Sequence, residues 1–265
     1  MTGAMHAAEP FGSAAEAAAQ AAAATPSPQT TSPSFRLAFD DPEFLRRDEM
    51  RAVRLALEIA KPELLQDEAG IAATVAVFGS SRAPPGSPWY EEARRFARAV
   101  TEESPRLGFG EVAIITGGGP GIMEAGNRGA SEAGGRSIGL SIVLPREQAP
   151  NQWVTPSLSF QFHYFGIRKM QFLMRARAVA FFPGGFGTLD ELFETLTLLQ
   201  TGKIKPIPLL MFGRAWWSRL IRFETLVEDG MIDPKDLGLI TWVETAEEGA
   251  SVLFDAWRER LSAQP

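Results

Sequence analysis

Nine consecutive residues, Pro183-Gly184-Gly185-Phe186-Gly187-Thr188-Leu189-Asp190-Glu191, place three glycines and a threonine directly ahead of two carboxylates. Glycine lets a backbone approach an anion closely and adopt positive φ. A helix that follows such a loop offers free N–H groups and the positive end of its dipole. That is worth about 0.3–1 kcal/mol per charge, and up to about 2 kcal/mol when partly buried. A second segment, Gly117-Gly118-Gly119-Pro120-Gly121-Ile122, has the same character. A tight strand-to-helix turn accounts for either loop alone, whereas two of them in one chain favour a phosphate site. The second loop lacks the last glycine of the dinucleotide fingerprint, and neither loop ends in the Gly-Lys-Ser/Thr of a P-loop.

Glu191 falls in the first turn of the helix expected after its glycine loop, where the dipole favours an ionised carboxylate. A helix-start acid is also a common stabilising choice. Arg168 and Lys169 stand on the preceding expected helix and supply cations, or simply a solvated face.

The surrounding pattern shows how these residues are positioned. Apolar runs of β type alternate with amphipathic stretches from Asp40 onward. Strands are expected over Thr74–Phe78, Val112–Thr116, Arg136–Ile142, Leu158–Phe162, Ala178–Phe182, Ile207–Phe212 and Leu239–Val243. Helices are expected over Glu43–Lys61, Pro88–Thr101, Ile122–Ala133, Ile167–Ala176, Leu189–Gln200, Trp216–Glu228 and Ala246–Leu261. Strands that are apolar throughout and joined by helices imply a parallel sheet covered on both faces. Right-handed crossovers then give an α/β protein with a Rossmann-like, doubly wound parallel sheet, a three-layer α/β/α sandwich. Ligands bind beyond the carboxyl ends of strands in such folds, so Gly79-Ser80-Ser81, Gly117–Gly121 and Pro183–Thr188 should converge along one sheet edge.

Residues 1–34 are rich first in Ala and then in Pro, Ser and Thr, and read as a disordered tail with a transient helix near Ala14–Ala24. Residues 35–265 read as a single domain. The 265-residue chain carries a formal net charge of −6, which argues against general nucleic-acid binding. It has no cysteine, which excludes disulfides and thiolate metal sites. Its two histidines, His6 and His163, are far apart, so neither a metal nor another cofactor is expected. No apolar run approaches the roughly 20 residues of a membrane span, and a cytoplasmic location is the expectation.

The segments Phe165-Gly166-Ile167-Arg168-Lys169-Met170 and Pro183–Glu191 together resemble the lonely-guy family of cytokinin-activating phosphoribohydrolases. That family pairs Arg-Lys with Pro-Gly-Gly-x-Gly-Thr-x-x-Glu. Gly117–Met123 resembles its earlier glycine loop, Gly79-Ser80-Ser81-Arg82 its first strand end, and Pro145-Arg146-Glu147 a loop whose glutamate faces the ligand. The resemblance spans roughly Ala73 to Val243. It implies hydrolysis of a nucleoside 5′-monophosphate, AMP or an N6-modified AMP, to a free base and ribose 5-phosphate. Arg168 and Glu191 would be catalytic. Ser80, Gly118, Gly119, Gly121, Glu147, Lys169, Gly184, Gly185, Phe186, Gly187, Thr188 and Thr197 would bind substrate. The resemblance also implies a homodimer with sites near the subunit interface.

The chain departs from the Met-His that many plant-type members carry ahead of Arg-Lys. It has Tyr164-Phe165-Gly166-Ile167 there, so the cluster Phe160, Phe162, Tyr164 and Phe165 shapes the base pocket or a subunit contact, or packs in the core. Members are often labelled possible lysine decarboxylases, but no Schiff-base lysine with a pyridine partner is legible. Molybdenum-cofactor carrier proteins, which bind a phosphorylated pterin without turnover, share the fold and the Gly-Gly-Gly-x-Gly-x-Met-Glu segment. A nicotinamide oxidoreductase is disfavoured by the incomplete fingerprint.

Overall fold

The structure, a computed structural model, describes residues 12–108, 110–143 and 149–262. The chain divides into two compact units, Met1–Leu57 and Glu58–Pro265.

In the first unit, helix α1 covers Ala14–Ala22 and is started by a capping box between Ser13 and Glu16. None of its residues is buried. Helix α2, Pro42–Arg46, is capped by Asp41, whose side chain accepts from the amides of Glu43 and Phe44. The single helix expected over Glu43–Lys61 is in fact two. Arg47 is extended, a 3-10 turn follows at Asp48–Met50, and helix α3 then runs Arg51–Glu68, continuing through Pro62.

The second unit holds the sheet. Strands β1 (Ala73–Phe78), β2 (Val112–Thr116), β3 (Ser137–Ile142), β4 (Ser159–Phe162), β5 (Ala176–Phe181), β6 (Leu209–Phe212) and β7 (Thr241–Val243) lie in the order β4-β3-β2-β1-β5-β6-β7. Every pair is parallel. Apolar residues on both faces explain why β1, β2 and β6 are buried throughout, whereas the edge strand β4, Ser159-Phe160-Gln161-Phe162, alternates exposed polar and buried apolar residues. All six residues of β1 are buried. Val75, Val77, Ala178, Ala180 and Phe182 face one core, packed with helices α4 (Pro88–Glu103), α5 (Ile122–Glu132) and α10 (Ala246–Ser262). Ala76, Phe78, Val179, Phe181 and Met211 face the other. That core takes Phe172 from α6 (Phe165–Met174), Leu192 from α7 (Phe186–Gln200), Trp217 from α8 (Arg214–Leu220) and Phe223 from α9 (Phe223–Glu228). The expected three-layer, Rossmann-like sandwich is therefore the observed fold, and the winding reverses between β1 and β5.

The helix expected over Trp216–Glu228 is broken at Ile221 and Arg222, both extended. Trp217 and Ile221 lie four apart on one face, but Phe223 would point away from it in a continuous helix. Breaking the helix lets all three turn to the sheet, where Trp217 also donates from its indole N–H to Phe212 O at 2.9 Å.

Helices α4 and α5 pack so closely that a Cβ on Gly129 would collide with the carbonyl oxygen of Arg94. Alanine is favoured over glycine in a helix by about 1 kcal/mol. Here overpacking against backbone, which costs about 1–3 kcal/mol or more, outweighs that gain. Gly129→Ala should therefore lower the urea midpoint. Gly166→Ala in α6, where an added Cβ meets nothing within 4 Å, should leave it unchanged or raise it.

Candidate active site

Three strand-end loops meet at the switch between β1 and β5. The Ser80 peptide joins them. Its N–H donates to Pro183 O at 3.0 Å, and its carbonyl accepts from the Ile122 N–H at 3.0 Å. Such proximity dictates glycine. A Cβ on Gly121, at φ +71, would collide with the Ser80 carbonyl, and one on Gly79 would lie 2.7 Å from Ile122 side-chain carbons.

Helix α7 begins at Phe186 with Gly185 as its N-cap and no side chain capping it. The Leu189 N–H makes the first intrahelical bond, to Gly185 O at 3.0 Å. The amides of Phe186, Gly187 and Thr188 thus precede any intrahelical acceptor. Gly185, Phe186 and Gly187 are exposed, Phe186 by 91%, while Thr188 is buried against Gly184. Three amide donors at an uncapped helix start form an anion site.

Because α7 starts three residues earlier than the pattern suggested, Glu191 is in the second turn, not the first. The dipole is not what sets its ionisation. Glu191 is only 7% exposed, and this burial pushes its carboxyl up to about 7. Lys169 and Arg168 pull it down, while Glu194 and Asp190 push it up.

Arg168 is held from several sides. Its Nε donates to Leu140 O at 2.6 Å, and its guanidinium carbon lies 5.1 Å from the Phe172 ring centroid. Gly117 makes room for it, since a Cβ there would sit 2.6 Å from Arg168 Nη2. Its helix is tied down by α3. The Glu58 carboxylate accepts from the amides of His163 at 2.8 Å and Tyr164 at 3.1 Å, at the start of α6. Gln171 Nε2 donates to Ile59 O at 3.0 Å.

A cavity of about 880 Å³ opens here. Arg168, Glu191, Ser80 and Gly184 through Thr188 all line it, with Arg82, Gly117, Met123, Phe165, Phe172, Trp89, Trp216 and Leu220. Other expected residues are elsewhere. Lys169 Nζ pairs with Asp190 at 2.9 Å and Glu194 at 3.2 Å, and with Thr197 it lines a separate shallow depression. Thr197 Oγ1 donates to Phe193 O within its own helix. Gly118, Gly119 and Gly121 do not line the cavity. Glu147 lies outside the described residues. Phe160 and Phe162 are core residues, while Phe165 is 55% exposed at the cavity.

A buried amide network, missed from sequence, holds the Gly117–Gly121 loop. Asn151 Nδ2 donates to Gly118 O, Gly119 O and Asn127 Oδ1 at 2.9–3.1 Å, and Thr116 Oγ1 donates to Asn127 Oδ1 at 2.7 Å. Asn127, polar on the buried face of α5, was the available signal, whereas nothing in the pattern singled out Asn151. Among the described residues, no cluster of His, Cys, Asp or Glu could hold a metal. Among the described residues, no helix is long and apolar enough to cross a membrane.

Fold and cavity together define a Rossmann-like protein with an uncapped helix start and a buried carboxylate at the topological switch point. The family model described as "Possible lysine decarboxylase" matches residues 123–253. Cytokinin riboside 5′-monophosphate phosphoribohydrolase LOG3 of Arabidopsis thaliana is 30% identical over 138 residues, 51% of this chain and 63% of that protein. The chain thus matches less than two thirds of that relative. The probable phosphoribohydrolase LOG4 of Oryza sativa subsp. japonica is 27% identical over 165 residues, 61% of this chain and 70% of that one. By these matches the chain is similar to the cytokinin riboside 5′-monophosphate phosphoribohydrolases. Among solved structures, the molybdenum cofactor binding protein of Rippkaea orientalis is similar with a TM-score of 0.50 at 18% identity, over 69% of this chain and 95% of that one. That likeness shows the fold alone.

The raised Glu191 carboxyl has a stability consequence. The folded state holds this proton up to about pH 7, the unfolded chain only to about 4.5. Stability contributed by the neutral form is therefore present below pH 4.5 and lost as pH rises through 7. At 1.36 kcal/mol per unit, the loss is on the order of 3 kcal/mol. Glu191→Gln should be more stable than the parent at pH 8 and nearly equal at pH 4.5, as measured by urea unfolding. Equal pH slopes for the two proteins would show that the carboxylate is not buried at a cost.

Proposed function

We propose that this protein hydrolyses the N-glycosidic bond of a nucleoside 5′-monophosphate, AMP or an N6-modified AMP, to free base and ribose 5-phosphate. The observation that carries this is Glu191, a buried carboxyl titrating near neutrality, in the same cavity as Arg168 and the uncapped start of α7. The family's printed activities agree with it.

The amides of Phe186, Gly187 and Thr188 hold the 5′-phosphate. Cleavage of the C1′–N bond leaves a sugar with oxocarbenium character, which a neighbouring carboxylate stabilises. Glu191 takes a proton from the attacking water, whose oxygen bonds to C1′ as the C1′–N bond breaks; the departing base nitrogen takes up a proton from solvent, and Glu191 returns its own to solvent. A base near its own pKa at the working pH is efficient in this role. Arg168 fixes the substrate and balances its charge. A decarboxylase using pyridoxal phosphate is disfavoured, because no lysine is among the described residues lining the cavity. Simple binding of an anionic pterin gains nothing from a buried carboxylate beside it.

Chromatography of products from a panel of nucleoside monophosphates, with di- and triphosphates as controls, tests this directly. Base release from AMP should appear, with kcat/KM rising through about pH 7 to a plateau as Glu191 ionises. Glu191→Gln should lower kcat at least 100-fold with little change in KM. Near-parental release of adenine by that variant would refute the assignment of Glu191.

The same proposal includes a homodimer. Helices α6 and α7 expose Met170, Met174 and Phe193, apolar side chains that a partner subunit would cover. Light scattering should return twice the 28.8 kDa chain mass, and a monomer mass would remove this part.

A further inference from the structure

The cavity extends past the start of α7 on the side away from Arg168. Its walls run from Gly117 and Met123, after β2, to Trp216 and Leu220, after β6. In the order β2-β1-β5-β6, those ends are three strand spacings apart, about 14 Å. The start of α7 follows β5 and sits between them. Arg168 reaches toward β3, bonding Leu140 O and lying against Gly117, so it occupies the β2–β3 side.

The other side has a different chemistry. Trp216 stands edge-on to Trp217, with ring centroids 4.9 Å apart. Trp89 comes from α4 on the opposite face of the sheet and lies over Gly213, where a Cβ would be 2.5 Å from its ring. Gly213 also needs φ +84, so this close approach is built into the turn that starts α8. Both indoles line the cavity while partly buried. Arg82 lies in the same lining, exposed, and makes no ion pair among the described residues.

A nucleoside monophosphate with its phosphate at α7 and its ribose at Glu191 leaves this half empty. The cavity volume is near the upper end of the roughly 300–1,000 Å³ of small-molecule pockets. We infer that Trp89, Trp216 and Arg82 form a second subsite, for an aromatic ring system joined to the nucleotide through its 5′-phosphate, as in a pyrophosphate-linked dinucleotide. Arg82 meets the second phosphate, and the indoles take the second ring by stacking or edge contact. Doubly wound sheets receive dinucleotides across this switch point, with the pyrophosphate at a helix start. The subsite rests on the assignment of the 5′-phosphate to α7.

Calorimetric titration with AMP and with P1,P2-di(adenosine-5′) diphosphate tests it. The parent protein should bind the dinucleotide at least tenfold more tightly than AMP. Trp89→Ala and Trp216→Ala should each weaken the dinucleotide about tenfold and AMP less than twofold, while Trp216→Phe retains most of the affinity. Undiminished AMP binding shows that the variants remain folded. Equal weakening of both ligands would mean that the base of AMP lies on the tryptophans, overturning the subsite but not the monophosphate site. A dinucleotide no tighter than AMP would also overturn it. Binding of the dinucleotide without AMP would support the subsite and count against the monophosphate substrate. Binding of neither would remove both.

Discussion

The two hydrogen bonds of the Ser80 peptide, one to the loop after β5 and one from the first residue of α5, fix the geometry on which the site depends. They hold three strand ends within van der Waals contact at the point where the sheet's winding reverses. No room remains for side chains there, which is why glycine recurs at 79, 117, 121 and 184 although only Gly121 among them has positive φ. The glycines are thus a packing requirement before they are a binding feature. With that junction closed, α7 must begin beside β1, and its unpaired amides open into the cavity.

The two glycine loops then divide the work. The loop after β2 has carbonyls taken up by Asn151, and Gly118 and Gly119 are turned to that frame, away from the ligand. Its direct contribution to the cavity is Gly117, which admits the Arg168 guanidinium. In the loop after β5, no side chain caps the start of α7 among the described residues. Similar sequences thus reach different ends, because a neighbouring side chain satisfies one and not the other.

This explains what was legible beforehand. The parallel sheet, its strands and the convergence of the three loops follow from apolar runs ending in glycine, a local signal. The pairing of Arg168 with Glu191 came from motif resemblance, and the cavity contains both. Helix α7 starts three residues before the apolar pattern indicates, although Phe186-Gly187 is a poor helix opening by propensity. That difference carried the ionisation of Glu191 with it, from dipole-favoured to burial-opposed. Lys169 and Thr197 sit beside the motif in sequence, but the helical turn carries them to another face. Glu58, Asn151 and Trp89 leave no local signal because each acts through a contact distant in the chain.

Glu191 also shows why the site is costly to keep. A carboxyl buried beside Glu194 and Asp190, with Lys169 already engaged by those same two acids, receives only part of the compensation its charge needs. Burial would favour an apolar residue or an amide at that position. A group that is destabilising when ionised, yet lines a cavity with Arg168 and an uncapped helix start, is better explained by chemistry than by folding. The raised carboxyl supports reactivity rather than simple binding, because an anionic ligand held without turnover would be served better by a neutral residue. The same environment makes the ionised form stronger when it does appear, since a low-dielectric surrounding weakens a developing positive charge's competition from water.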